Sequence, residues 1–138
     1  MLFTRETDYA IRFFRTLIDE EQHSVSEITE KELIPQQFAY KILRKLSNAG
    51  LVKVARGAKG GCRLNADLAE VSLYDLIGVV ETKKTFVQCL DPSFECPYRE
   101  EHHGCRVHSN LDVIEHKLAE DLKGISIKDM LQGDLGAN

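Results

Sequence analysis

Apolar residues at helical spacing divide the first part of the chain into short amphipathic helices. One stripe occupies residues 4–20, where Thr4 can cap the first turn and six apolar positions recur at helical spacing: Tyr9, Ile11, Phe13, Phe14, Leu17 and Ile18. A second helix of about two turns starts at Ser24, which forms a capping box with Glu27. We expect three side chains of this segment to face the core: Val25, Ile28 and Leu33.

Pro35 ends this second helix and opens a third one with two different sides. The apolar side carries Phe38, Ile42, Leu43 and Leu46, and Gly50 can end the helix. The other side is polar and basic: Gln36, Gln37, Tyr40, Lys41, Arg44 and Lys45. Two short helices joined by a tight connection, the second of them basic, are typical of a helix-turn-helix.

Beyond Gly50 the pattern changes to that of a hairpin. Residues 51–55 and 62–64 predict two strands, and the loop at 56–61 combines three glycines with Arg56 and Lys59. Such a hairpin beside a helix-turn-helix is a wing. Residues 72–81 then predict another helix, whose capping box Asp75 completes.

The C-terminal part contains a loop and a long helix. Residues 82–105 lack periodicity and predict a loop, whereas residues 106–123 carry one narrow apolar seam: Val107, Leu111, Ile114, Leu118 and Leu122. In so small a chain this seam favours contact with a second subunit over a private core, so we expect a homodimer. Residues 125–131 add one or two helical turns.

Together these elements predict a mainly α fold with a small β-hairpin, that is, a winged helix-turn-helix followed by a long dimerisation helix. We divide the 138 residues into a DNA-binding domain at 1–81, a cysteine-bearing loop at 82–105, and a dimerisation helix with its tail at 106–138. The DNA-binding role of the first unit rests on the distribution of charge.

Charge is distributed unevenly along the chain. The whole sequence has 18 basic and 22 acidic residues, yet Leu33 to Leu64 contains seven basic residues and no acidic one. This stretch therefore carries +7, and the remainder, with 11 basic against 22 acidic residues, carries −11. Such a basic stretch predicts binding to double-stranded DNA.

We expect the individual side chains of this stretch to divide the work of binding. Four are predicted to face the major groove: Gln36, Gln37, Tyr40 and Arg44. Three are predicted to hold backbone phosphates or to enter the minor groove: Lys41, Lys45 and Arg56. Lys59 can reach a phosphate from the wing loop.

No apolar run approaches the roughly 20 residues of a membrane span, so we expect no membrane association. Charges also interrupt the N-terminal stretch where a signal peptide would be apolar: Arg5, Glu6, Asp8 and Arg12. We therefore expect a cytoplasmic protein. In that compartment thiols stay reduced, which disfavours a disulfide.

Cys89, Cys96 and Cys105 form a C-x6-C-x8-C arrangement within the predicted loop. Three interpretations remain open from spacing alone: an iron-sulfur or zinc centre with a fourth ligand, a thiol redox switch, or cysteines that merely pack. Cys62 lies far away in a wing strand, and we interpret it as a small apolar filler.

The combination of motifs resembles one family. The helix with Thr-Asp-Tyr-Ala-Ile-Arg at 7–12, the basic helix-turn-helix, the wing with Arg-Gly-Ala-Lys-Gly-Gly and the three cysteines before a long helix are similar to the Rrf-type winged-helix transcription regulators, from Leu2 to about Leu131. The resemblance implies a dimer with crossing long helices, in which the three cysteines of a subunit hold a 2Fe-2S or 4Fe-4S cluster.

The resemblance also implies a fourth ligand, for which Asp8 is our first choice and His108 the alternative. In the NsrR-like branch it is an aspartate near the N-terminus of the other subunit, which Asp8 matches; in the IscR-like branch it is a histidine shortly after the third cysteine, which His108 matches. Asp8 has a simpler interpretation as a carboxylate that favours the first turn of a helix. The cysteine intervals are longer than the family's commoner ones, which leaves the cluster type open.

We therefore expect a transcriptional regulator, most simply a repressor, whose DNA affinity depends on an iron-sulfur cluster that senses nitric oxide, redox state or iron-sulfur status. The alternatives are a zinc- or thiol-switched winged-helix regulator without iron and a small iron-sulfur electron carrier, for which the basic helix would have no use. No nucleophile-base constellation, phosphate-binding P-loop or dinucleotide motif is present, so we do not expect an enzyme.

Overall fold

The computed structural model describes residues 3–83 and 85–136. Its elements follow in the order α1 (Arg5–Leu17), α2 (Val25–Glu32), α3 (Gln36–Asn48), β1 (Val52–Ala55), β2 (Gly61–Leu64), α4 (Leu73–Val80), a 3-10 turn (Gln88–Leu90), α5 (Pro97–His102), α6 (Arg106–Lys123) and α7 (Ile127–Gln132). The predicted class, mainly α with a small β-hairpin, is confirmed. The strands pair antiparallel, with Val52 opposite Leu64 and Val54 opposite Cys62.

The core lies between α1, α2, α3, the hairpin and α4. Phe13, Phe14 and Leu17 of α1 are completely inaccessible to solvent, and each neighbouring element adds buried side chains, among them Ile28, Ile42, Leu46, Val52 and Leu76. The apolar stripes of the sequence therefore face one another. This packing fixes the orientation of α3, whose opposite side is left to solvent.

Helix α1 is shorter than the predicted span of 4–20. Thr4 accepts a hydrogen bond from the N–H of Glu6 and caps the start, but the helix ends at Leu17. The following residues leave the helical path because the chain must reach the wing: the N–H of His23 donates to the carbonyl of Cys62 at 3.0 Å, and the N–H of Cys62 donates back at 2.8 Å. Gly61 has to lack a side chain here, since a Cβ would lie 2.4 Å from the carbonyl oxygen of His23.

The expectation that Leu33 turns inward is wrong. Its φ of 54° places it in the left-handed region, and its N–H donates to the carbonyl of Thr29 to end α2. The chain reverses at this point, so Leu33 is 80% exposed and Ile34, only 4% exposed, fills the core instead.

The capping boxes are realised to different degrees. At α4 both halves form, with Ser72 and Asp75 exchanging two hydrogen bonds of 3.0 Å, and Ser126 with Asp129 repeats the arrangement at α7. At α2 the hydroxyl of Ser24 accepts from the N–H of Glu27. The Glu27 carboxylate, however, lies 3.1 Å from Nδ1 of His23, so a local contact with the residue before the cap takes the place of the second half.

The prediction of a plain loop over 82–105 is wrong in part, because the 3-10 turn and α5 lie within it. Pro97 occupies the first position of α5, and His103 ends it in the left-handed region. A six-residue helix is too short to show periodicity in the sequence. Helix α6 has the predicted bounds, packs against α4 and the 3-10 turn, and has no fully buried side chain among the described residues.

Helix α7 docks onto the body through Ile127, which is fully buried and whose N–H donates to the carbonyl of Val71 at 2.8 Å. Within the described part of the chain, no helix is long and apolar enough to cross a membrane.

Candidate functional site

The polar side of α3 forms most of a basic surface. Five of its predicted DNA contacts are exposed: Gln36, Gln37, Tyr40, Lys41 and Arg44. The sixth, Lys45, is only half-exposed. Because Ile42, Leu43 and Leu46 anchor the other side of the helix in the core, this surface is held on a rigid element.

The wing places its two basic residues in solvent. Arg56 and Lys59 are both exposed in the loop between β1 and β2. The side-chain amide of Gln22 donates to the carbonyl of Lys59 at 2.6 Å, which fastens the loop to the segment after α1. The wing and α3 are thus tied to the same core.

Lys41 and Lys45 both contact Glu6, a residue that the sequence pattern did not single out. The Nζ of Lys41 lies 2.7 Å from Oε1 of Glu6, and the Nζ of Lys45 lies 2.9 Å from Oε2. Lys45 also donates to the carbonyl of Val80 at 2.6 Å. These contacts connect α3 to the first turn of α1 and to the end of α4, and they were not predictable because the three elements are distant in sequence.

A second acidic residue that sequence reasoning missed is Glu81, which directly follows α4. Its carboxylate is buried, with 9% of the residue exposed, and Oε1 accepts hydrogen bonds from the hydroxyls of Thr4 and Thr7. A single glutamate after an apolar helix carries no recognisable signal in the sequence. In the structure it joins the start of α1 to the point where the cysteine segment, residues 82–105, begins.

Asp8 lies in the first turn of α1 and is paired with a neighbour. Nη2 of Arg12 lies 2.9 Å from Oδ2 of Asp8, and Nη1 of the same guanidinium donates to the carbonyl of Glu32 at 3.2 Å. The side chain of Asp8 is 43% exposed. Asp8 is therefore accessible, but its carboxylate is engaged within its own chain.

The three cysteines of the 82–105 segment lie within or directly before helical elements. Cys89 lies in the 3-10 turn, Cys96 precedes α5 and Cys105 precedes α6. All three are reduced and half-buried. Within residues 3–83 and 85–136, no three His, Cys, Asp or Glu side chains are grouped so that they could hold a metal ion. The three cysteines thus share the 82–105 segment of the chain, and the described residues do not assemble them into a metal site.

Cys105 and His108 are adjacent on the first turn of α6. The sulfur of Cys105 accepts a hydrogen bond from the backbone N–H of His108 at 3.4 Å. Nδ1 of His108 is buried, and no hydrogen-bond partner for it exists among the described residues. Buried polar atoms are ordinarily paired, so this nitrogen has an unused capacity to bind.

Cys62 has the opposite environment. It is completely buried in the core, and desolvation raises the pKa of its thiol to about 11. A protonated, inaccessible thiol is a poor ligand and a poor nucleophile. Its position agrees with the interpretation as a small apolar filler.

The family model for Rrf2, described as an iron-dependent transcriptional regulator, matches residues 3–133. The chain belongs to the Rrf2 family. Members of the Rrf2 family are transcriptional regulators and not enzymes, and the winged helix-turn-helix is their DNA-binding fold. The resemblance inferred from the sequence motifs is thereby confirmed.

Several relatives of this Rrf2-family chain span most of its length. Protein aau3 of Rhizobium meliloti (strain 1021) is 29% identical over 135 residues, which is 96% of this chain and 86% of the relative. An HTH-type transcriptional regulator of Aquifex aeolicus (strain VF5) is 26% identical over 107 residues, covering 78% and 74% of the two chains.

Solved structures show the same fold. IscR of T. potens superposes with a TM-score of 0.68 at 22% identity, over 96% of this chain and 87% of that one. The oxidised form of Staphylococcus aureus CymR has a TM-score of 0.66 at 21% identity, over 96% and 97%. CymR of B. subtilis, described as the global cysteine regulator, has a TM-score of 0.65 at 22% identity, over 97% and 98%.

Proposed function

We propose that this regulator is a dimeric repressor whose affinity for operator DNA is set by an iron-sulfur cluster, 2Fe-2S or 4Fe-4S, bound by Cys89, Cys96 and Cys105. The observation that carries the proposal is the contact of the Cys105 sulfur with the first turn of α6, next to a buried nitrogen of His108 that has no hydrogen-bond partner among the described residues. The description of the family model as iron-dependent supports it.

The donor set fits such a cluster chemically. Three thiols provide the soft ligands that iron-sulfur clusters require. Cys105 precedes the N-terminus of an 18-residue helix, whose dipole favours negative charge at that end. When bound, the cluster supplies iron that reacts with nitric oxide or oxidants and that is lost when iron is scarce.

For the fourth ligand we favour His108 over Asp8. Ligation through Nδ1 would give the buried nitrogen of His108 the partner that it lacks among the described residues. Asp8 would have to give up its 2.9 Å contact with Arg12 and reach the cysteines of the partner subunit. Both candidates stay open to the spectroscopic test below.

The contacts at the end of α4 can carry the state of the cysteine segment to α3. The segment starts at Thr82, directly after Glu81, whose carboxylate accepts from Thr4 and Thr7. One residue earlier, the carbonyl of Val80 accepts from Lys45 of α3. A displacement of the segment would therefore act on α1 and on the DNA-binding helix through hydrogen bonds that already exist.

The apolar seam of α6 supports the homodimer. Val107, Ile114 and Leu118 are 65%, 51% and 37% exposed, although they recur on one side of the helix. A second copy of α6 would cover them and would set the separation of the two α3 helices. Half-sites on DNA lie about 34 Å apart, so a small rotation impairs simultaneous binding, and a coupling of about 1–3 kcal/mol gives roughly 5- to 150-fold regulation.

Anaerobic purification followed by iron and sulfide analysis and visible spectroscopy tests the cluster. We expect coloured protein, and we expect Cys89→Ala, Cys96→Ala and Cys105→Ala each to lose iron and sulfide. Cys62→Ala is the matched control and should retain both. Equal metal content in all four variants would contradict the ligand assignment.

The same spectra distinguish the two candidates for the fourth ligand. His108→Ala is expected to shift the visible spectrum or destabilise the cluster, while Asp8→Ala leaves it unchanged. The reverse result would assign the position to Asp8 of the partner subunit.

DNA binding is tested by a mobility-shift assay on the upstream region of its own gene, with cluster-loaded and cluster-free protein. Arg44→Ala should weaken specific binding by about 1–3 kcal/mol without changing the visible spectrum. Unchanged affinity would remove Arg44 from the proposed surface.

A second candidate is a zinc- or thiol-switched regulator without iron. It is favoured by the half-buried, free thiols at residues 89, 96 and 105 and by the fold shared with CymR, which in B. subtilis is described as the global cysteine regulator. Colourless protein whose DNA affinity changes on thiol oxidation would establish this candidate. An electron carrier would instead show redox activity and no DNA shift in either form.

A further inference from the structure

Glu6 and the two lysines of α3 form a three-residue ion-pair cluster at the edge of the basic surface. The Glu6 side chain is only 20% exposed, and each of its carboxylate oxygens faces one ammonium group, Lys41 at 2.7 Å and Lys45 at 2.9 Å. The hydrogen bond from Lys41 is the largest influence that lowers the pKa of Glu6, against the opposing effect of burial. The carboxylate is therefore charged at neutral pH.

The two lysines differ in how firmly the fold holds them. Lys45 is 22% exposed and also donates to the carbonyl of Val80 at 2.6 Å, so it connects α1, α3 and α4 and has little freedom to turn outward. Lys41 is 56% exposed and lies beside an open cleft of about 430 Å³ that Thr4, Phe38 and Lys83 also line. Its long stem can swing away from Glu6 without disturbing the core.

We propose that Glu6 is an internal substitute for a DNA phosphate. It holds Lys41 against the body in the free protein and gives it up to a backbone phosphate of the operator, while Lys45 remains paired with Glu6 and Val80 as a structural brace. This inference rests on the proposed DNA-binding surface and refines it, because only one of the two lysines on this side of α3 is then a phosphate contact.

The exchange of Glu6 for a phosphate lowers both the affinity of the protein for DNA and the dependence of that affinity on salt concentration. A carboxylate and a phosphate oxygen compete for the same ammonium group, so part of the gain from the phosphate contact is spent on breaking the ion pair. Once Lys41 leaves, Lys45 still faces Oε2 of Glu6, but Oε1 has lost its ammonium partner and can take up a cation from solution, which offsets the counterion that the DNA releases. Removing the charge of Glu6 should therefore steepen the dependence of log K on log salt by up to about 0.9, the value for one phosphate contact.

The test measures fluorescence anisotropy of a labelled operator duplex from roughly 50 to 200 mM salt, the range over which such contacts are resolved. E6Q is expected to bind about 3- to 10-fold more tightly at the lowest salt, with the steeper slope. E70Q is the matched control, because Glu70 is an exposed carboxylate between β2 and α4, and it should behave as the wild type.

The E6Q/K41Q double variant separates exchange from simple repulsion between Glu6 and DNA. If Glu6 acts by restraining Lys41, E6Q has no effect on affinity or slope in the K41Q background. Equal tightening in both backgrounds, or no tightening in either, would overturn the proposal.

Lys45 is tested by K45M, which should lower the thermal midpoint and leave the salt slope unchanged. A slope reduced by about one phosphate contact would show that Lys45 binds DNA and is not a brace. Arg44→Ala distinguishes a failure of the proposed DNA-binding surface from a failure of the Glu6 proposal. If Arg44→Ala and E6Q both leave DNA binding unchanged, the DNA-binding surface is wrong. If Arg44→Ala weakens binding while E6Q has no effect, only the role of Glu6 is wrong.

Discussion

The body of the protein, residues 3–80, and its arm, residues 82–123, use apolar residues in opposite ways. In the body, Phe13, Phe14 and Leu17 of a single helix are completely buried. In the arm, neither the 3-10 turn, α5 nor α6 buries any described side chain completely, and Val107 is 65% exposed. The body thus covers most of its own apolar surface, with contributions from Leu122 of α6 and Ile127 of α7, whereas the arm leaves part of its apolar surface exposed.

This difference shows where each region obtains its stability. Complete burial of a large apolar side chain contributes about 1.5–3 kcal/mol to the free energy of folding. The body gains this contribution from contacts within one chain. The arm gains little of it, so in our proposal its final arrangement depends on a second copy of α6 and on a cluster at the cysteines. A DNA-binding unit with a buried core, joined to an arm with exposed apolar surface, suits a regulator.

The largest expected effect comes from the core of the body. Phe13→Ala leaves a cavity at a fully buried position and should lower the free energy of unfolding by about 3–5 kcal/mol. Ile114→Ala is the matched change in the arm, where the side chain is 51% exposed, and should change the stability of the isolated subunit much less. Urea denaturation followed by circular dichroism measures both, and similar losses would show that the arm has a core of its own.

The next effect concerns the seam of α6. Ile114→Glu places a charge on the proposed dimer contact and should raise the dimer dissociation constant about 10- to 100-fold, equivalent to roughly 1.4–2.8 kcal/mol. His116→Glu adds the same charge to the helix at a side chain that is 76% exposed and should leave the dimer intact. Sedimentation velocity distinguishes the two outcomes. Equal dissociation by both variants would show that charge alone, and not this seam, controls association.

A smaller effect is expected at the two complete capping boxes. Ser72→Ala removes the hydrogen bond to the Asp75 N–H at the start of α4 and should cost about 1 kcal/mol of unfolding free energy. Ser126→Ala breaks the same box at α7 but should cost less globally, because a short terminal helix can open without unfolding the body. Hydrogen exchange should show α7 losing protection first. A larger global loss for Ser126→Ala would make α7 part of the body's cooperative core.

The smallest effect is a pH dependence at His23, where the wing joins the body. The hydrogen bond to Asp19 is the main cause that raises the pKa of His23, with burial opposing it and Glu27 adding to it. The stabilisation that charged His23 gives the fold is therefore fully present below pH 6.5, the ordinary pKa of histidine. It is lost as pH rises through the raised pKa of His23 in the folded state. Because Asp19 and Glu27 are 46% and 62% exposed, the contribution is about 0.5 kcal/mol.

His23→Gln should accordingly reduce stability at pH 5.5 and have little effect at pH 9, as measured by urea denaturation at both values. Asp19→Asn should remove most of this pH dependence, and the double variant should show no further loss. A loss that is equal at both pH values would assign His23 a packing role without a charge contribution.

Local sequence signals predicted the elements well where the cause of the structure is local. The seam of α6 defined its bounds at 106 and 123, and Ser72 with Asp75 marked the start of α4, because periodicity and caps depend on residues within one or two turns. Leu33 was misassigned because its direction depends on a left-handed turn, and α5 was missed because it is only six residues long.

The candidate site divides in the same way. Spacing alone singled out Cys89, Cys96 and Cys105 as candidate ligands, and the basic side of α3 followed from its period. The ion pairs of Glu6 and the buried Glu81 could not be predicted, since their partners lie 35 to 77 residues away and no local pattern records them. Where His108 points likewise depends on how the start of α6 packs.

By itself, the sequence determined the order and kind of elements, the +7 charge of one surface and the types of ligand available, since each depends on neighbouring residues or on composition. Only the tertiary structure decided which charges meet, which thiol is buried and which apolar face stays uncovered. These features depend on distances between elements that are far apart in the sequence. Only the packing of the core brings such elements together.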